Sequence, residues 1–159
     1  MEHLVGISEY KLTNSDQDIM VTYSVSSCLG VTLFDPVNNI GGLLHSMLPS
    51  SKLDPQRAKT HPGIFTDSGV TKLIEMMVDL GADASKLVAK VAGAAKPEGN
   101  NLVTEISSRH YQALNQVLDE NQIPLVAADI GGTASRNVYL YMEDGKTLVS
   151  RAGKQSVLN

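Results

Sequence analysis

Several features that would assign a protein to a particular class are missing from this chain. Its single cysteine, Cys28, cannot form an internal disulfide bond, which fits a reducing compartment. The net charge is -4 and there is no run of lysine or arginine, so the sequence does not predict nucleic-acid binding, which needs a concentrated basic face. No stretch approaches the roughly 18 consecutive apolar residues of a membrane span. The first residues, MEHLVGISEYKL, do not form a secretory signal. These absences predict a cytoplasmic protein without membrane insertion.

What is present is enough for one compact unit. The chain has 159 residues, of which 42% are hydrophobic, so residues 1–159 are expected to form a single domain with one core. Strands precede a helix, then come a strand, a second helix and further strands. This order predicts an α/β (α+β) fold, layered, with mixed and largely antiparallel sheets and two main helices, rather than a regular βαβ repeat.

The residue pattern predicts the following elements in chain order. They are a strand over residues 3–12, a strand over 19–25, a hairpin with strands at 31–34 and 41–45, a long loop at 50–65, a helix from 66–68 to 80, a strand over 87–92, a loop at 96–101, a helix over 103–121, a strand over 125–130, and a hairpin with strands at 138–142 and 147–150.

The segment 22–49 carries the main chemical signal, because it holds Cys28 and His45 on the two arms of the first hairpin. A turn centred near Pro36 and Val37 would set Cys28 directly opposite His45, where Cβ atoms on one face approach within about 4.5–5.5 Å. A cysteine nucleophile needs at least a thiol next to a base such as an imidazole. A register slip of one residue would place the two side chains on opposite faces, so the inference depends on register.

Each of these residues also has an ordinary structural interpretation. A lone cysteine such as Cys28 is usually a small buried apolar residue, and His45 can be a partly buried strand histidine. Thr22 lies on the preceding strand and could reach the imidazole, or it is simply a β-favouring residue. The remaining candidates are weaker. His3, His61 and His110 lack metal-site spacing, Gly131-Gly132 is best explained as a tight turn, and Arg109 and Arg136 are expected to be unpaired surface cations beside loops.

Several motifs together resemble the CheD family, the chemoreceptor glutamine deamidases of bacterial chemotaxis. They are the opening VGISEYKL, the V-T-x-x-x-x-S-C segment that ends at Cys28, VTLFDP at 31–36, GGLLHSMLP at 41–49, and the entry to the first helix at 65–67. Weaker similarities follow at 92–94 and at 129–132 with Arg136. The resemblance extends over nearly the whole chain.

The resemblance implies a fold like that of the deamidating cytotoxic necrotizing factor toxins and a cysteine hydrolase acting on protein glutamine side chains. The family's catalytic cysteine, histidine and threonine match Cys28, His45 and Thr22. We expect Ser26 and Ser27 to contribute to the substrate and oxyanion site, through backbone N–H groups near Ser27 and Cys28. His45 would either draw the proton from Cys28 or rest with it as a thiolate–imidazolium pair, a thioester would form, and Thr22 would orient the imidazole.

The same resemblance implies no metal or organic cofactor. It also implies two protein partners, which are the cytoplasmic part of a methyl-accepting chemotaxis receptor as substrate and a CheC-type phosphatase of CheY. The sequence departs from the family at loops expected near the site. Ser24 and Ser26 stand where glycines are usual, and Arg109-His110 replaces an Arg-Asn pair. Residues 96–101 lack the usual pattern after a Gly-Gly-Ala type turn, whose place is taken by residues 92–95. The alternative function is therefore a catalytically weak binding module that regulates the phosphatase.

Overall fold

The computed structural model describes residues 1–96 and 101–159, which contain ten strands and three α-helices. The elements are β1 (Glu2–Leu4), β2 (Tyr10–Thr13), β3 (Ile19–Val25), β4 (Leu29–Asp35), β5 (Ile40–Ser46), α1 (Pro55–Thr60), α2 (Thr66–Leu80), β6 (Val88–Gly93), α3 (Asn101–Glu120), β7 (Leu125–Ile130), β8 (Arg136–Tyr141), β9 (Lys146–Arg151) and β10 (Lys154–Leu158). Short 3-10 turns cover Ser51–Leu53, Pro62–Ile64 and Ala84–Lys86.

The strands form two five-stranded mixed sheets. Sheet A has the order β1-β3-β8-β9-β10, and sheet B has the order β2-β5-β4-β6-β7. The pairs β1–β3 and β6–β7 are parallel, whereas the other pairs are antiparallel. With α2 and α3 as the two long helices, this arrangement confirms the predicted fold class.

The molecule is layered, with sheet B between sheet A and the long helices. One face of sheet B meets sheet A in a core that includes Leu43, Val138 and Leu140. Its other face packs on α2 and α3 in a larger core that includes Leu44 and Leu73. Side chains alternate between the two faces of a strand. Leu43 and His45, two residues apart on β5, therefore point to the same face, toward sheet A.

The prediction of one strand over residues 3–12 is wrong, because this segment crosses from sheet A to sheet B. β1 pairs with β3, whereas β2 pairs with β5. Between them the amide of Glu9 donates to the carbonyl of Gly6 at 3.1 Å, and Ser8 has a φ of 66°. The alternation of apolar residues continues through this crossing, so periodicity alone did not reveal the turn.

The predicted register of the first hairpin is also wrong. Asp35 pairs with Ile40 and Gly30 pairs with His45, so Cys28 does not lie opposite His45. The Asp35 carboxylate accepts the amides of Val37 at 2.9 Å and Asn38 at 3.1 Å, which builds a turn centred one residue later than expected. A one-residue shift of the centre moves the pairing by two residues, which leaves Cys28 just before the first residue of β4 and two positions out of register with His45.

Two further predictions need correction. The expected long loop at 50–65 contains α1, whose first turn is capped by the Asp54 side chain accepting the Arg57 amide at 3.1 Å. α1 buries none of its residues, so it has no apolar periodicity to detect. β10 was not predicted, although the chain turns into it at Ala152 and Gly153, both with positive φ. Of the loop predicted at 96–101, residues 97–100 lie outside the described residues.

The other elements agree with prediction to within a few residues. α2 runs from Thr66 to Leu80 and ends at Gly81, whose φ of 121° suits a glycine helix terminus. β3 and β7 have the predicted bounds, and the tight turn after β7 is confirmed by positive φ at Gly131 and Gly132.

Candidate active site

Thr22 and His45 meet between the two sheets. Thr22 lies on β3 in sheet A, His45 lies on β5 in sheet B, and both are fully buried. The Thr22 Oγ1 and His45 Nδ1 atoms are 2.7 Å apart. The prediction that Thr22 could reach the imidazole is therefore confirmed. This contact depends on how the sheets stack, which the local sequence does not specify.

The backbone of His45 is held from the side of β2. Its carbonyl accepts the Ser8 amide at 2.7 Å, and its own amide donates to the Glu9 carbonyl at 3.0 Å. The next residue, Ser46, shares a hydrogen bond of 2.7 Å with the Thr66 hydroxyl at the start of α2. The crossing segment that split the predicted first strand thus fixes the position of the imidazole.

His45 is held in its neutral form. Burial, and to a lesser extent the nearby His110, lowers the pKa of His45 from 6.5 to about 4. Its Nε2 atom is buried and has no hydrogen-bond partner within residues 1–96 and 101–159. If Nδ1 carries the proton and donates to Thr22, Nε2 keeps a lone pair and can act as a base.

Cys28 lies in the short connection between β3 and β4. It is partly buried and packs against the core between the sheets. Burial raises the pKa of the Cys28 thiol, so the sulfur is protonated at neutral pH. Among the described residues, no hydrogen bond joins the Cys28 thiol to His45 Nε2.

The backbone around Cys28 is anchored by its carbonyl groups. The Ser26 carbonyl accepts the Ala95 amide, and the Cys28 carbonyl accepts the Ala94 amide, both at 2.8 Å. The Ser27 carbonyl accepts from His110 Nδ1, also at 2.8 Å. In contrast, the amides of Ser27 and Cys28 have no acceptor among the described residues. Three consecutive carbonyls are therefore occupied, while two amides remain available.

Gly93 allows β6 to approach this connection. It has a φ of 130°, and a Cβ atom at this position would overlap the Cys28 carbonyl oxygen. Glycine alone combines this backbone conformation with the close approach. Residues 92–94, which resemble the family, therefore include the glycine that lets β6 pack closely against the Cys28 segment.

Ser24 has the conformation that a glycine would adopt more easily. Its φ is 58°, within a bulge where the β3–β8 register shifts between Thr22 and Val25. Its amide donates to Asn137 Oδ1 at 3.0 Å. Ser24 thus occupies the left-handed region despite its side chain, whereas Ser26 lies outside that region.

His110 is a residue whose contact with the Cys28 segment the sequence did not predict. It lies on the buried face of α3 with Leu114 and Val117, is fully buried, and touches the segment that presents Cys28. A polar ring on an otherwise apolar helical face was the available signal. His3 pairs instead with Asp18 at 3.0 Å, and His61 is exposed.

The expectation of unpaired arginines is wrong, because both side chains have acidic partners, and the expected surface position is confirmed for Arg109 only. Arg136 is 1% exposed and binds Asp129, as well as the carbonyls of Gly131 and Ala134. It thereby closes the tight turn after β7, next to the bulge in β3. Arg109 remains on the surface, in an ion pair of 2.6 Å with Glu105 one helical turn away.

Comparison with known proteins identifies the family. The family model for CheD, chemotactic sensory transduction, matches residues 47–151. A probable chemoreceptor glutamine deamidase CheD of Solibacter usitatus is 36% identical over 155 residues, covering 98% of this chain and 92% of the relative. A protein of the same name from Symbiobacterium thermophilum is 39% identical, covering 94% and 92% of the two chains.

The chain belongs to the CheD family. The family-model match starts after His45, so it contains Gly93 and His110 but not the three predicted catalytic residues. The match to the Solibacter relative, in contrast, extends over nearly the whole of this chain.

The fold is also seen in a solved structure of low sequence identity. The hypothetical protein YfiH of Bacillus licheniformis superposes with a TM-score of 0.50 at 12% identity, covering 76% of this chain and 49% of that one. Among the described residues, no helix combines the length and the apolar character needed to cross a bilayer.

Proposed function

We propose that this CheD-family protein is a protein-glutamine deamidase, which converts glutamine side chains of methyl-accepting chemotaxis receptors to glutamate and releases ammonia. The observation that carries the proposal is the buried Thr22–His45 pair beside the Cys28 segment. The names of the relatives supply the substrate class. Cys28 is the nucleophile, His45 is the base and Thr22 orients the imidazole.

The first step begins from a neutral pair. The raised pKa of Cys28 and the lowered pKa of His45 favour a thiol beside a neutral imidazole over a resting thiolate–imidazolium pair. His45 Nε2 takes the thiol proton as Sγ attacks the side-chain carbonyl carbon of glutamine. A carbon–sulfur bond forms, and the carbonyl electrons move to the oxygen, giving a tetrahedral oxyanion.

The second half of the reaction releases both products. The oxyanion collapses, the carbon–nitrogen bond breaks, and His45 returns its proton to the departing ammonia, which leaves a thioester on Cys28. His45 then removes a proton from water, which attacks the thioester. The carbon–sulfur bond breaks, the proton returns to sulfur, and glutamate is released. Throughout, Thr22 Oγ1 accepts a hydrogen bond from Nδ1–H of His45 and keeps Nε2 directed at the reacting groups.

The amides of Ser27 and Cys28 are suited to stabilise the oxyanion. They have no acceptor among the described residues, and the carbonyls around them are anchored. Each such donor is worth about 2.7–4 kcal/mol in comparable sites. Ser26 contributes by holding the first carbonyl of the segment against Ala95.

The reaction requires no metal or organic cofactor, because acid–base and nucleophilic groups of the chain account for every bond change. We further propose that residues 1–159 act as one domain in the cytoplasm, where the receptor substrate exposes its glutamines. Each conversion adds a carboxylate to the receptor surface and changes its charge.

Incubation with receptor cytoplasmic fragments followed by peptide mass mapping tests this function. The expected result is conversion of specific glutamines by the wild-type protein and by His61→Asn, an exposed-histidine control. Cys28→Ala and His45→Asn should leave the same glutamines unchanged. Intact glutamines with wild-type protein in every fragment tested would overturn the proposal.

A second candidate function is regulation of a CheC-type phosphatase by a weakly catalytic CheD fold. The observation that favours it is the protonated, partly buried Cys28 without a hydrogen bond to His45 among the described residues. Binding of this protein to such a phosphatase, together with unchanged receptor glutamines, would support this function over the deamidase.

A further inference from the structure

His110 forms the direct link between α3 and the segment that presents Cys28. Its Nδ1 atom lies 2.8 Å from the Ser27 carbonyl oxygen, and its side chain is fully buried. Because a carbonyl can only accept, Nδ1 must carry the proton. Burial lowers the pKa of His110 despite opposing carbonyls of Ser27 and Leu48, which agrees with a neutral ring.

This hydrogen bond sets the direction of a second group. The Ser27 carbonyl and the Cys28 amide belong to the same peptide unit, which is planar and trans, so the two groups point in opposite directions. Fixing the carbonyl toward α3 therefore aims the Cys28 N–H away from α3. That N–H has no acceptor in the described part of the chain. A hydrogen bond to the carbonyl also polarises the peptide and strengthens its N–H as a donor.

A second anchor holds the neighbouring peptide in the same way. Ser107, one turn before His110 on α3, donates its hydroxyl to the Ala95 carbonyl at 2.6 Å. The Ala95 amide in turn donates to the Ser26 carbonyl at 2.8 Å, which orients the Ser27 N–H. The buried face of α3 therefore contacts the Ser27–Cys28 peptide directly, and it also contacts Ala95, the residue whose amide holds the Ser26–Ser27 peptide.

We propose that His110 is a positioning residue that orients the Cys28 N–H toward the oxyanion formed during deamidation. The proposal rests on the deamidase function for its reaction, but the geometry concerns any oxyanion formed on a carbon bonded to Cys28. Because its hydrogen bond is to the Ser27 carbonyl, His110 acts through the Ser27–Cys28 peptide.

Two substitutions separate positioning from packing. Asn at this position places its Nδ2 donor where the imidazole Nδ1 lies, whereas Leu fills similar volume without a donor. His110→Leu is expected to lower kcat for glutamine conversion about 10- to 100-fold, with KM within about threefold of wild type, since the lost interaction forms in the transition state. His110→Asn should retain kcat within about threefold of wild type.

Two substrate-independent probes distinguish this inference from the deamidase proposal. A peptide bearing glutamate semialdehyde forms a hemithioacetal with Cys28, in which sulfur bonds to the aldehyde carbon and the oxygen occupies the oxyanion position. Its binding should weaken about tenfold or more in His110→Leu. Iodoacetamide alkylates the sulfur without forming an oxyanion, so its rate should remain within about threefold of wild type.

Wild-type aldehyde affinity and kcat in a folded His110→Leu protein would overturn the inference. If that variant does not fold, His110→Gln replaces it, because Gln displaces the donor by one methylene and should show the same loss. If wild type converts no glutamine but the aldehyde and iodoacetamide results follow the expected pattern, the deamidase proposal fails and the positioning role stands.

Discussion

Ser24 is one of the non-glycine residues with a positive φ, and it lies in the β3 bulge between Thr22 and Val25. Its φ of 58° lies in the left-handed region, where a residue with a side chain is disfavoured by about 1–2 kcal/mol. The Asn137 side chain helps to hold this conformation by accepting the Ser24 amide. The serine is therefore compatible with the bulge beside Thr22, although it is not the best residue for it.

Ser24→Gly is expected to stabilise the protein by about 0.5–1 kcal/mol, because relief of strain exceeds the added entropy of the unfolded chain. The matched control is Ser26→Gly, since Ser26 lies outside the left-handed region. That control should destabilise the protein by about 0.4–1 kcal/mol. Urea unfolding measures both values, and equal shifts of the same sign would contradict the interpretation.

At Gly93, in contrast to Ser24, the backbone conformation and packing require a glycine. Gly93→Ala is expected to cost about 2 kcal/mol or more and to lower deamidase activity, since the new Cβ would displace the Cys28 carbonyl. Gly132→Ala is the control, because its positive φ is accompanied by open space. Thermal unfolding and activity of the two variants test this prediction. Activity loss of similar size in both variants would argue against a specific role at Cys28.

At this scale the sequence was informative about residue identity but not about buried neighbours. Residue types and family resemblance predicted Cys28, His45 and Thr22, and the Thr22–His45 contact agrees with that prediction. His110 was missed because its partner, the Ser27 carbonyl, lies 83 positions away in the chain. Hydrogen bonds to a distant backbone carbonyl leave no trace in local patterns.

At the scale of elements, the first hairpin shows which information is local. Residue alternation predicted both strands of this hairpin. The register depended on the Asp35 side chain, which binds two turn amides and shifts the centre by one residue. The split of the first strand also escaped detection, because β1 and β2 continue the same alternation on different sheets.

The two sheets are joined away from the candidate site by a buried pair of hydroxyls. Thr32 on β4 and Thr147 on β9 are 2% and 1% exposed, and their Oγ1 atoms are 2.9 Å apart. Thr147→Val should destabilise the protein by about 1–3 kcal/mol, because it leaves the Thr32 hydroxyl buried without a partner.

The double variant Thr32→Val/Thr147→Val should cost less than the sum of the two single changes, since no hydroxyl is then left unsatisfied. Urea unfolding of the wild type, the two single variants and the double variant gives the coupling free energy between the two hydroxyl groups. Additive effects would show that the hydrogen bond does not join the sheets energetically. Deamidase activity should be unchanged in every folded variant, because the pair lies outside the site.

At the scale of the whole molecule, burial of a neutral His45 links stability to pH. Its pKa is lowered from 6.5 to about 4 in the folded protein. The unfolded chain therefore binds more protons in this interval, so stability rises with pH across it and is lost as pH falls from 6.5 toward about 4. This difference in the pKa of His45 between the folded and unfolded protein corresponds to about 3 kcal/mol in the free energy of unfolding.

Urea midpoints measured across that interval test this effect. The expected result is a weaker pH dependence in His45→Gln than in wild type, with the exposed-histidine variant His61→Asn behaving like wild type. Equal slopes in wild type and His45→Gln would show that His45 is not held neutral by the fold.

The general architecture was predictable because the order of elements and their apolar faces are encoded locally. The pattern of strands and two helices predicted the mixed, layered fold. The order β2-β5-β4-β6-β7, and the stacking that brings Thr22 to His45, depend on pairings between distant segments. Local propensity does not determine such pairings, and only the folded structure supplies them.

The most direct test of the central claim is the initial rate of glutamine conversion in a receptor cytoplasmic fragment for four proteins. These are wild type, Cys28→Ala, His45→Asn and Thr22→Val. The account predicts conversion by wild type, no detectable conversion without Cys28 or His45, and a rate lowered about 10- to 100-fold in Thr22→Val, which loses the group that orients the imidazole. Conversion by Cys28→Ala at the wild-type rate would contradict the account.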